Sequence, residues 1–284
     1  MGIERVAVLG AGIMGNGIAQ VSAAAGYEVR LRDVEQGFLE RGLGTMRKSL
    51  ERMAKKGNVA PDAVEQILGR VKPTTDLREA VDGADLVIEA IPEDLQLKRN
   101  TFRELGEICR PGAILASNTS NFSITNIASA SGRPEQVIGM HYFNPPALMN
   151  LIEVVRGLET SEETLQSVLG FAASCGKKTV VCKDSQGFIT SRMIAVWLVE
   201  AERILEEGIA SREDIDTACR LAFNHPMGPF ELADFSGLDT KLAVSDAMAQ
   251  MFGERFRSPQ TVRNLVAAGH VGRKSGRGWY DYSR

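Results

Sequence analysis

The chain lacks the features that mark several classes of protein. Its 284 residues include only four cysteines, without a CxxC pair and without histidines at metal-ligand spacing: Cys109, Cys175, Cys182 and Cys219. Cysteines so isolated predict reduced, mostly buried thiols rather than a disulfide framework or a metal site, and this suits a cytoplasmic protein. We therefore expect no bound metal.

An excess of charge of one sign and long apolar runs are lacking as well. The 33 basic and 36 acidic residues are mixed along the chain and give a formal charge of -3. Such a balance creates no field that would attract nucleic acid or an anionic membrane. No apolar run approaches the roughly 18 residues of a membrane span, and no basic leader precedes the first strand. We expect a soluble intracellular protein that binds neither nucleic acid nor membrane.

What the chain does contain begins with the segment "RVAVLGAGIMGNGIAQVSAAAGYEVRLRD". Gly10, Gly12 and Gly15 have G-x-G-x-x-G spacing between an apolar strand and an Ala-rich helix that ends at Gly26. A second strand follows and ends at Asp33, 18 residues after the third glycine. Strand, glycine-rich turn, helix, strand and acidic residue together predict a dinucleotide-binding fold, whereas the glycine spacing alone would be a weak signal.

Each part of this segment has a physical task. The first glycine permits a tight turn, Gly12 lets the backbone approach a pyrophosphate, and the third lets the helix pack on the sheet. The helix N-terminus, with Ile13 and Met14, offers N–H groups and a positive dipole to phosphates. Asp33 can accept hydrogen bonds from the adenosine ribose and would repel a 2′-phosphate, so we expect NAD rather than NADP. The alternative is a glycine-rich turn without a ligand.

Further apolar runs alternate with helical segments. Strands are predicted within 84–94, 112–120, 136–143 and 151–155, with a helix at 95–109 and a basic helical arm at 38–60. This alternation predicts an α/β fold, with a Rossmann-type, mainly parallel sheet over residues 1–183 and a C-terminal all-helical domain over residues 184–284. Ligands of such sheets lie at the carboxyl ends of the strands, where Asp33, Glu93, Ser117 to Ser120 and His141 are predicted.

In the helical domain, helices are predicted at 189–207 and at 238–251. Another helix is predicted between them, with Ser211 as its cap. A shorter helix is predicted with Ser258 as its cap, Pro259 at its first position and Gly269 just past its end. The first of these helices has apolar residues on more than one side. We expect either homodimerisation through this domain or a helix that forms the core of its own domain.

The stretch "GMHYFNPPALMNLIEVV" raises a question about Glu153, a lone carboxylate inside an apolar run. An unpaired glutamate there would be costly, so a partner is expected, and His141 at the end of the preceding strand is the candidate. Imidazole is the side chain whose ordinary pKa lies closest to neutrality, and it suits a general base. The alternative is a buried polar pair without turnover. His225 and His270 are interpreted as a loop residue and a helix-end cation.

Taken in order, these motifs with "IEAIPEDLQLK", "SNTSNFSI", "KDSQGFI", "HPMGPFELADFSGLD" and "GRKSGRGWYDY" resemble the L-3-hydroxyacyl-CoA dehydrogenases, of the 3-hydroxybutyryl-CoA dehydrogenase type. The similarity covers essentially the whole chain. It implies an NAD-binding domain, a helical domain that dimerises, and reversible oxidation of the 3-hydroxyl group of an acyl-CoA.

The resemblance also implies roles for particular residues. His141 is the matched catalytic residue, Glu153 orients it, and Ser120 and Asn144 contact substrate or nicotinamide. Further matched residues are the cofactor contacts Glu93, Lys98 and Lys274 and the CoA contacts Ser49 and Lys56. The pattern of this arm alone favours a solvated amphipathic helix, with a clamp for a second phosphate-bearing ligand as the alternative. Gln186 and Ser191 depart from the family, which usually has proline and asparagine there, and Ser191 puts fine substrate specificity in doubt.

Two other functions remain open at this point. One is a related NAD-dependent dehydrogenase that acts on a 3-hydroxy acid or sugar acid without CoA, for which Ser49 and Lys56 would be dispensable. The other is an NAD-binding sensor without catalysis, which would bind NADH tightly and transfer no hydride.

Overall fold

The computed structural model describes residues 2–283 and divides the chain into two compact units. Unit 1 is Met1–Phe188 and unit 2 is Ile189–Arg284. The division follows a chain reversal at Gly187 and Phe188, both of which have a positive φ. The change from strands to helices was predicted near Lys183; this residue is the last of the final strand of unit 1.

Unit 1 is built on one eight-stranded sheet with the order β3-β2-β1-β4-β5-β6-β7-β8. The strands are β1 (Arg5–Leu9), β2 (Glu28–Arg32), β3 (Val71–Thr74), β4 (Leu86–Glu89), β5 (Ile114–Ser117), β6 (Val137–Tyr142), β7 (Leu151–Arg156) and β8 (Lys178–Lys183). All neighbouring strands are parallel except β6 and β7, which are antiparallel. The predicted Rossmann-type, mainly parallel sheet is confirmed.

Seven α-helices accompany these strands in the described part of unit 1. They are α1 (Ile13–Ala24), α2 (Gln36–Lys55), α3 (Ala63–Gly69), α4 (Leu77–Val81), α5 (Leu95–Ile108), α6 (Ile124–Ala128) and α7 (Glu162–Ser174). The central strands are apolar on both faces because helices cover both. Apolar side chains of α1, α2 and α7 lie in the core on one face, and those of α4, α5 and α6 lie in the core on the other.

The predicted arm differs from the observed one at its C-terminal end. The sequence predicted helical structure through residue 60, but α2 ends at Lys55 and Gly57 follows with φ +75°. Glycine tolerates this left-handed conformation and therefore stops the helix. Leu39, Met46 and Leu50 recur on the buried face of α2, so its opposite face is left to solvent.

Unit 2 is all-helical, as predicted. Its helices are α8 (Thr190–Glu206), α9 (Arg212–Ala222), α10 (Pro229–Ser236), α11 (Leu238–Phe252) and α12 (Gln260–Ala267). Ser211 caps α9 by accepting a hydrogen bond from the backbone N–H of Asp214 at 3.1 Å, which confirms its predicted role. No helix among residues 2–283 is long and apolar enough to cross a membrane.

The predicted cap of α12 was wrong. Pro259 occupies the N-cap position, and the helix begins one residue later, at Gln260. The Ser258 hydroxyl instead accepts a hydrogen bond from Nζ of Lys241 at 2.8 Å. The same ammonium lies 2.5 Å from the Glu202 carboxylate, and all three side chains are buried. The hydroxyl is thus an acceptor for a buried ammonium. A buried ammonium must find its acceptors within the protein, whereas the backbone N–H groups of an exposed helix end can bond to water.

Two buried aspartates hold the C-terminal segment against the helices of unit 2. Asp234 of α10 accepts hydrogen bonds from the backbone N–H groups of Trp279 and Tyr280 at 2.8 and 2.9 Å, and from the Tyr282 hydroxyl at 3.1 Å. Asp216 of α9 accepts from the Tyr280 hydroxyl at 2.8 Å. These bonds satisfy carboxylates that are 1% exposed, and they fix the chain after residue 278.

Candidate active site

The glycine-rich turn connects β1 to α1 at the carboxyl edge of the sheet. Gly10 has φ +100°, and a Cβ there would lie 2.5 Å from the Ala90 carbonyl oxygen. A Cβ on Gly15 would lie 1.7 Å from the Gly10 carbonyl oxygen. Both positions therefore require glycine for the fold itself.

Gly12 differs from its two neighbours in the motif. It is exposed, its φ of -63° is open to any residue, and a Cβ would meet no protein atom within 4 Å. It is the N-cap of α1 without a side-chain cap, and the first turn contains no acidic residue. The N–H groups of Ile13 and Met14 have no intrahelical acceptor at this position and can hold an anion. The space left open at Gly12 therefore fits a pyrophosphate.

Asp33 follows β2 and faces the same turn. Its Oδ2 accepts a hydrogen bond from the Ala11 N–H at 2.7 Å, and its Oδ1 accepts one from the Val34 N–H at 2.7 Å. Each carboxylate oxygen keeps a lone pair that can accept from a ribose hydroxyl. The two bonds fix the carboxylate where the motif requires it.

A second group of charges lies after β4. Lys98 of α5 is 1% exposed, and its Nζ lies 2.6 Å from Oε1 of Glu89, 3.2 Å from Oε2 of Glu93 and 3.4 Å from the Ile91 carbonyl oxygen. The matched cofactor contacts Glu93 and Lys98 are thus brought together. Because the ammonium has three protons, these protein groups can use all of its donors.

Glu93 also organises the loop after β5. Its Oε1 accepts hydrogen bonds from Oγ1 of Thr119 at 2.6 Å and from the backbone N–H of Ser120 at 3.1 Å. Ser120 is half-buried and lies at the strand exit, as expected. The preceding Asn118 accepts a hydrogen bond from the Tyr142 N–H at 2.9 Å and ties this loop to β6.

His141 and Glu153 lie directly opposite each other on β6 and β7. Nδ1 of His141 lies 2.7 Å from Oε2 of Glu153, and the two residues are 6% and 0% exposed. Since a carboxylate only accepts, Nδ1 carries the proton, and Nε2 of a neutral ring then has a lone pair. The partner expected for the lone glutamate is confirmed.

Two aromatic rings and a cysteine lie near this pair. The rings of Phe143 and Phe188 lie 4.7 and 5.8 Å from the His141 ring between centroids. On β8, burial and the nearby Glu153 and Asp184 carboxylates raise the pKa of Cys182 to about 11. This thiol therefore stays protonated near neutral pH. All four cysteines are free thiols.

The loop between β6 and β7 carries Asn144. A residue that the sequence reasoning missed, Lys177, braces this loop: its Nζ donates to the carbonyl oxygens of Pro146 and Met149 at 2.7 and 2.8 Å. Burial lowers the pKa of Lys177. A lysine before a strand gives no sequence signal for such a role.

The remaining matched residues lie on α2 and in unit 2. Ser49 is half-buried on α2 and Lys56 is the exposed C-cap of that helix, seven residues later and so on the same face. Lys274 belongs to unit 2, where its Nζ lies 2.7 Å from Oδ2 of Asp239. In unit 2, the His225 ring lies 5.0 Å from that of Trp197. Among residues 2–283, no three His, Cys, Asp or Glu side chains are grouped to hold a metal ion.

A dinucleotide-binding sheet with an imidazole–carboxylate pair at its strand ends is the arrangement of a nicotinamide-dependent dehydrogenase. The profile of the family described as "3-hydroxyacyl-CoA dehydrogenase, NAD binding domain" matches residues 5–185, and that of "3-hydroxyacyl-CoA dehydrogenase, C-terminal domain" matches residues 187–282. The chain belongs to the 3-hydroxyacyl-CoA dehydrogenase family, and its cofactor is NAD.

Individual relatives are similar over their whole length. The probable 3-hydroxybutyryl-CoA dehydrogenase of Deinococcus radiodurans is 48% identical over 98% of this chain and 100% of its own. That of Bacillus subtilis is 45% identical over 99% of this chain and 98% of its own. The crystal structure of (S)-3-hydroxybutyryl-CoA dehydrogenase PaaH1 from Ralstonia eutropha is 40% identical, with a TM-score of 0.96 over 99% of this chain and 100% of that one.

Two glycine substitutions distinguish a glycine needed for NADH binding from one needed for the stability of the fold. Gly12→Ala should lower NADH affinity by about tenfold or more while leaving the melting temperature unchanged, because its Cβ meets no protein atom and enters the pyrophosphate space. Gly15→Ala should instead lower the free energy of unfolding by roughly 2–4 kcal/mol, because its Cβ overlaps the Gly10 carbonyl. Fluorescence titration and thermal unfolding measure the two effects. Wild-type NADH affinity in Gly12→Ala would contradict the assignment.

Proposed function

We propose that the protein interconverts short-chain L-3-hydroxyacyl-CoA, such as 3-hydroxybutyryl-CoA, and 3-ketoacyl-CoA, with His141 as general acid and base. The observation that carries the proposal is the buried 2.7 Å contact between Nδ1 of His141 and Glu153, on the sheet that also forms the cofactor turn. The names of the two bacterial relatives, both probable 3-hydroxybutyryl-CoA dehydrogenases, support the substrate class.

His141 moves the proton of the reacting hydroxyl group. In the oxidative direction its Nε2 accepts this proton, while bound NAD supplies the acceptor for the hydride. Glu153 keeps the proton of the neutral ring on Nδ1, and its negative charge stabilises the imidazolium that forms. In the reverse direction the imidazolium returns the proton to the carbonyl oxygen.

Ser120 and Asn144 position the substrate in this proposal. The Ser120 hydroxyl and the Asn144 amide can donate hydrogen bonds to the substrate oxygen or the thioester carbonyl and so hold the reacting carbon near the nicotinamide. The fixed loops that carry them support this role: Glu93 holds the Ser120 backbone and Lys177 braces the loop of Asn144.

For the cofactor we propose a preference for NAD over NADP. Asp33 would meet a 2′-phosphate with a like charge, and two nearby arginines that could bind the phosphate have other partners. Arg30 pairs with Glu79 at 3.3 Å, and Nε of Arg32 donates to the Thr75 carbonyl oxygen at 3.3 Å. The proposed contacts Glu93, Lys98 and Lys274 remain predictions.

We further propose that α2 binds the phosphates of CoA. Lys48, Ser49, Arg52, Lys55 and Lys56 recur at three- and four-residue spacing and so follow one face of the helix. The four cations are exposed and form no ion pair within the part of the chain that the structure describes. Unpaired cations next to a hydroxyl suit a phosphorylated ligand better than a merely solvated helix does.

Unit 1 serves as the NAD-binding domain in this proposal, and unit 2 as the substrate and dimerisation domain of a cytoplasmic homodimer. One face of α8 is packed in unit 2, through Leu198 and Ala201. Met193 on the same helix is 67% exposed, and Leu221 and Phe223 at the end of α9 are 81% and 63% exposed. An apolar surface of this kind favours association with a second copy.

The activity is tested directly by following NADH absorbance when the purified protein receives acetoacetyl-CoA. We expect NADH to be consumed, and 3-hydroxybutyryl-CoA with NAD to give the reverse change. Consumption with a 3-keto acid but not with its CoA ester would identify a related dehydrogenase without CoA. Tight NADH binding without consumption of either substrate would identify a sensor, and both results would contradict the proposal.

The His141–Glu153 pair should behave as one unit. His141→Ala should lower kcat by roughly 10²- to 10⁴-fold, the usual worth of general acid–base catalysis, with little change in NADH affinity. Glu153→Gln should also lower kcat, because the amide keeps the size but loses the charge that stabilises imidazolium. The double variant should be barely worse than the worse single variant. Full additivity would mean that the two residues act independently, and near-wild-type kcat in folded His141→Ala would mean that the base lies elsewhere.

The arm should affect CoA and not the dinucleotide. Lys56→Ala should raise KM for acetoacetyl-CoA about threefold and weaken its salt dependence, because one exposed charge is removed. NADH affinity should not change. Arg103→Ala is the control: it removes an exposed cation from α5, which packs on the opposite face of the sheet. An unchanged KM in Lys56→Ala would mean that the arm is a solvated helix that does not bind CoA.

A further inference from the structure

Glu89 is the last residue of β4 and has no exposed surface. Its Oε1 accepts hydrogen bonds from Nζ of Lys98 at 2.6 Å and from the Ile91 N–H at 2.9 Å. Its Oε2 accepts one from the Ser117 hydroxyl at 2.7 Å. Every partner donates, so the residue is held as a carboxylate in the interior of unit 1.

The ammonium of Lys98 joins this buried carboxylate to a second one near the surface. It lies between Glu89 and Glu93, and the Glu93 side chain is 37% exposed. Glu93 in turn accepts hydrogen bonds from the loop that carries Ser120. The contacts therefore run from the interior of the sheet, through one lysine, to a carboxylate and a loop at the strand ends.

This chain of contacts lies on one side of the cofactor turn. Asp33, at the end of β2, marks the side of β1 on which the adenosine ribose binds. The strands β4, β5 and β6 follow β1 on the other side, so the nicotinamide half of the dinucleotide extends over their ends. Glu93 and Ser120 follow β4 and β5 there, ahead of His141 on β6.

We propose that Glu89 is a positioning residue for the cofactor. Its charge draws Lys98 inward, and Lys98 holds Glu93 and the Ser120 loop in the place where the nicotinamide half binds. The inference rests on the proposed function only in assigning that half of the site. Stability is a poor explanation for the pair, because an ion pair this deeply buried gains little over apolar residues.

Unit 2 contains a buried pair that serves as a control. Glu202 and Lys241 are 3% and 6% exposed and lie 2.5 Å apart, and Nζ of Lys241 also donates to the Ser258 hydroxyl. Among residues 2–283, Lys241 forms an ion pair with Glu202 alone. Burial alone therefore does not distinguish Glu89 from Glu202. Glu89 differs because Lys98 connects it to Glu93 and to the loop at the strand ends.

The substitution Glu89→Gln isolates the charge from the shape. The glutamine oxygen can accept from Lys98 and from the Ile91 N–H as the carboxylate does, and its amide can donate to the Ser117 hydroxyl, which donates in the wild type. We expect the Kd for NADH to rise about tenfold, the order expected when one charge-assisted hydrogen bond is weakened.

Glu202→Gln is measured alongside by NADH fluorescence and thermal unfolding. It should lower the melting temperature and leave the Kd for NADH within twofold of wild type. If Glu89→Gln fails to fold, the double variant Glu89→Gln, Lys98→Met removes both buried charges and should show the same rise in Kd. An NADH Kd within twofold of wild type in the folded Glu89 variant, or an equal rise in Glu202→Gln, would overturn the proposal.

The two proposals fail separately. If the wild type binds NADH but does not oxidise it with acetoacetyl-CoA, the proposed substrate is wrong, while the effect of Glu89 on NADH affinity still stands. If acetoacetyl-CoA is reduced but Glu89→Gln binds NADH like the wild type, the activity stands and the positioning role does not.

Discussion

The site depends on the common register of the parallel strands. Leu9, Glu89, Ser117 and Gly139 form one row across β1, β4, β5 and β6. With neighbouring strands about 4.8 Å apart, roughly 14 Å separate the outer two strands of this row, which a dinucleotide can cross. The groups that follow the row on each strand therefore meet at one edge, although they are far apart in the sequence.

The reversal of strand direction between β6 and β7 allows a contact that a parallel neighbour of β6 could not make. Because β7 runs against β6, Glu153 comes level with His141 after a short loop and on the same face of the sheet. A parallel strand would need a crossover of a dozen or more residues before it returned to this edge. The reversal thus places a buried carboxylate beside the ring without a further helix, and Lys177 on the way to β8 braces the loop that makes the reversal possible.

Much of this could be predicted from the sequence, because local patterns carry it. The glycine spacing, the apolar runs and the lone Glu153 predicted the cofactor turn, the sheet and the His141 pair. The same reasoning should have singled out Glu89, which is equally a lone carboxylate in an apolar run, "DLVIEAI". What no pattern predicted were contacts made by long side chains across the fold, such as Lys177 to the Pro146 carbonyl or Lys241 to Ser258. Such contacts depend on the distance between elements, which periodicity does not encode.

The hydrogen bonds between the C-terminal segment and the two buried aspartates affect when each unit can complete its folding. The strands and helices of unit 1 all precede residue 189, so its sheet can be completed while the rest of the chain is still being synthesised. Unit 2 cannot, because the hydrogen-bond donors to the Asp234 carboxylate lie in residues 279–282, and Asp216 accepts from Tyr280 in the same segment. Until residues 279–282 have been synthesised, the Asp234 carboxylate lacks these donors and stays hydrated, so the packing of α10 is incomplete.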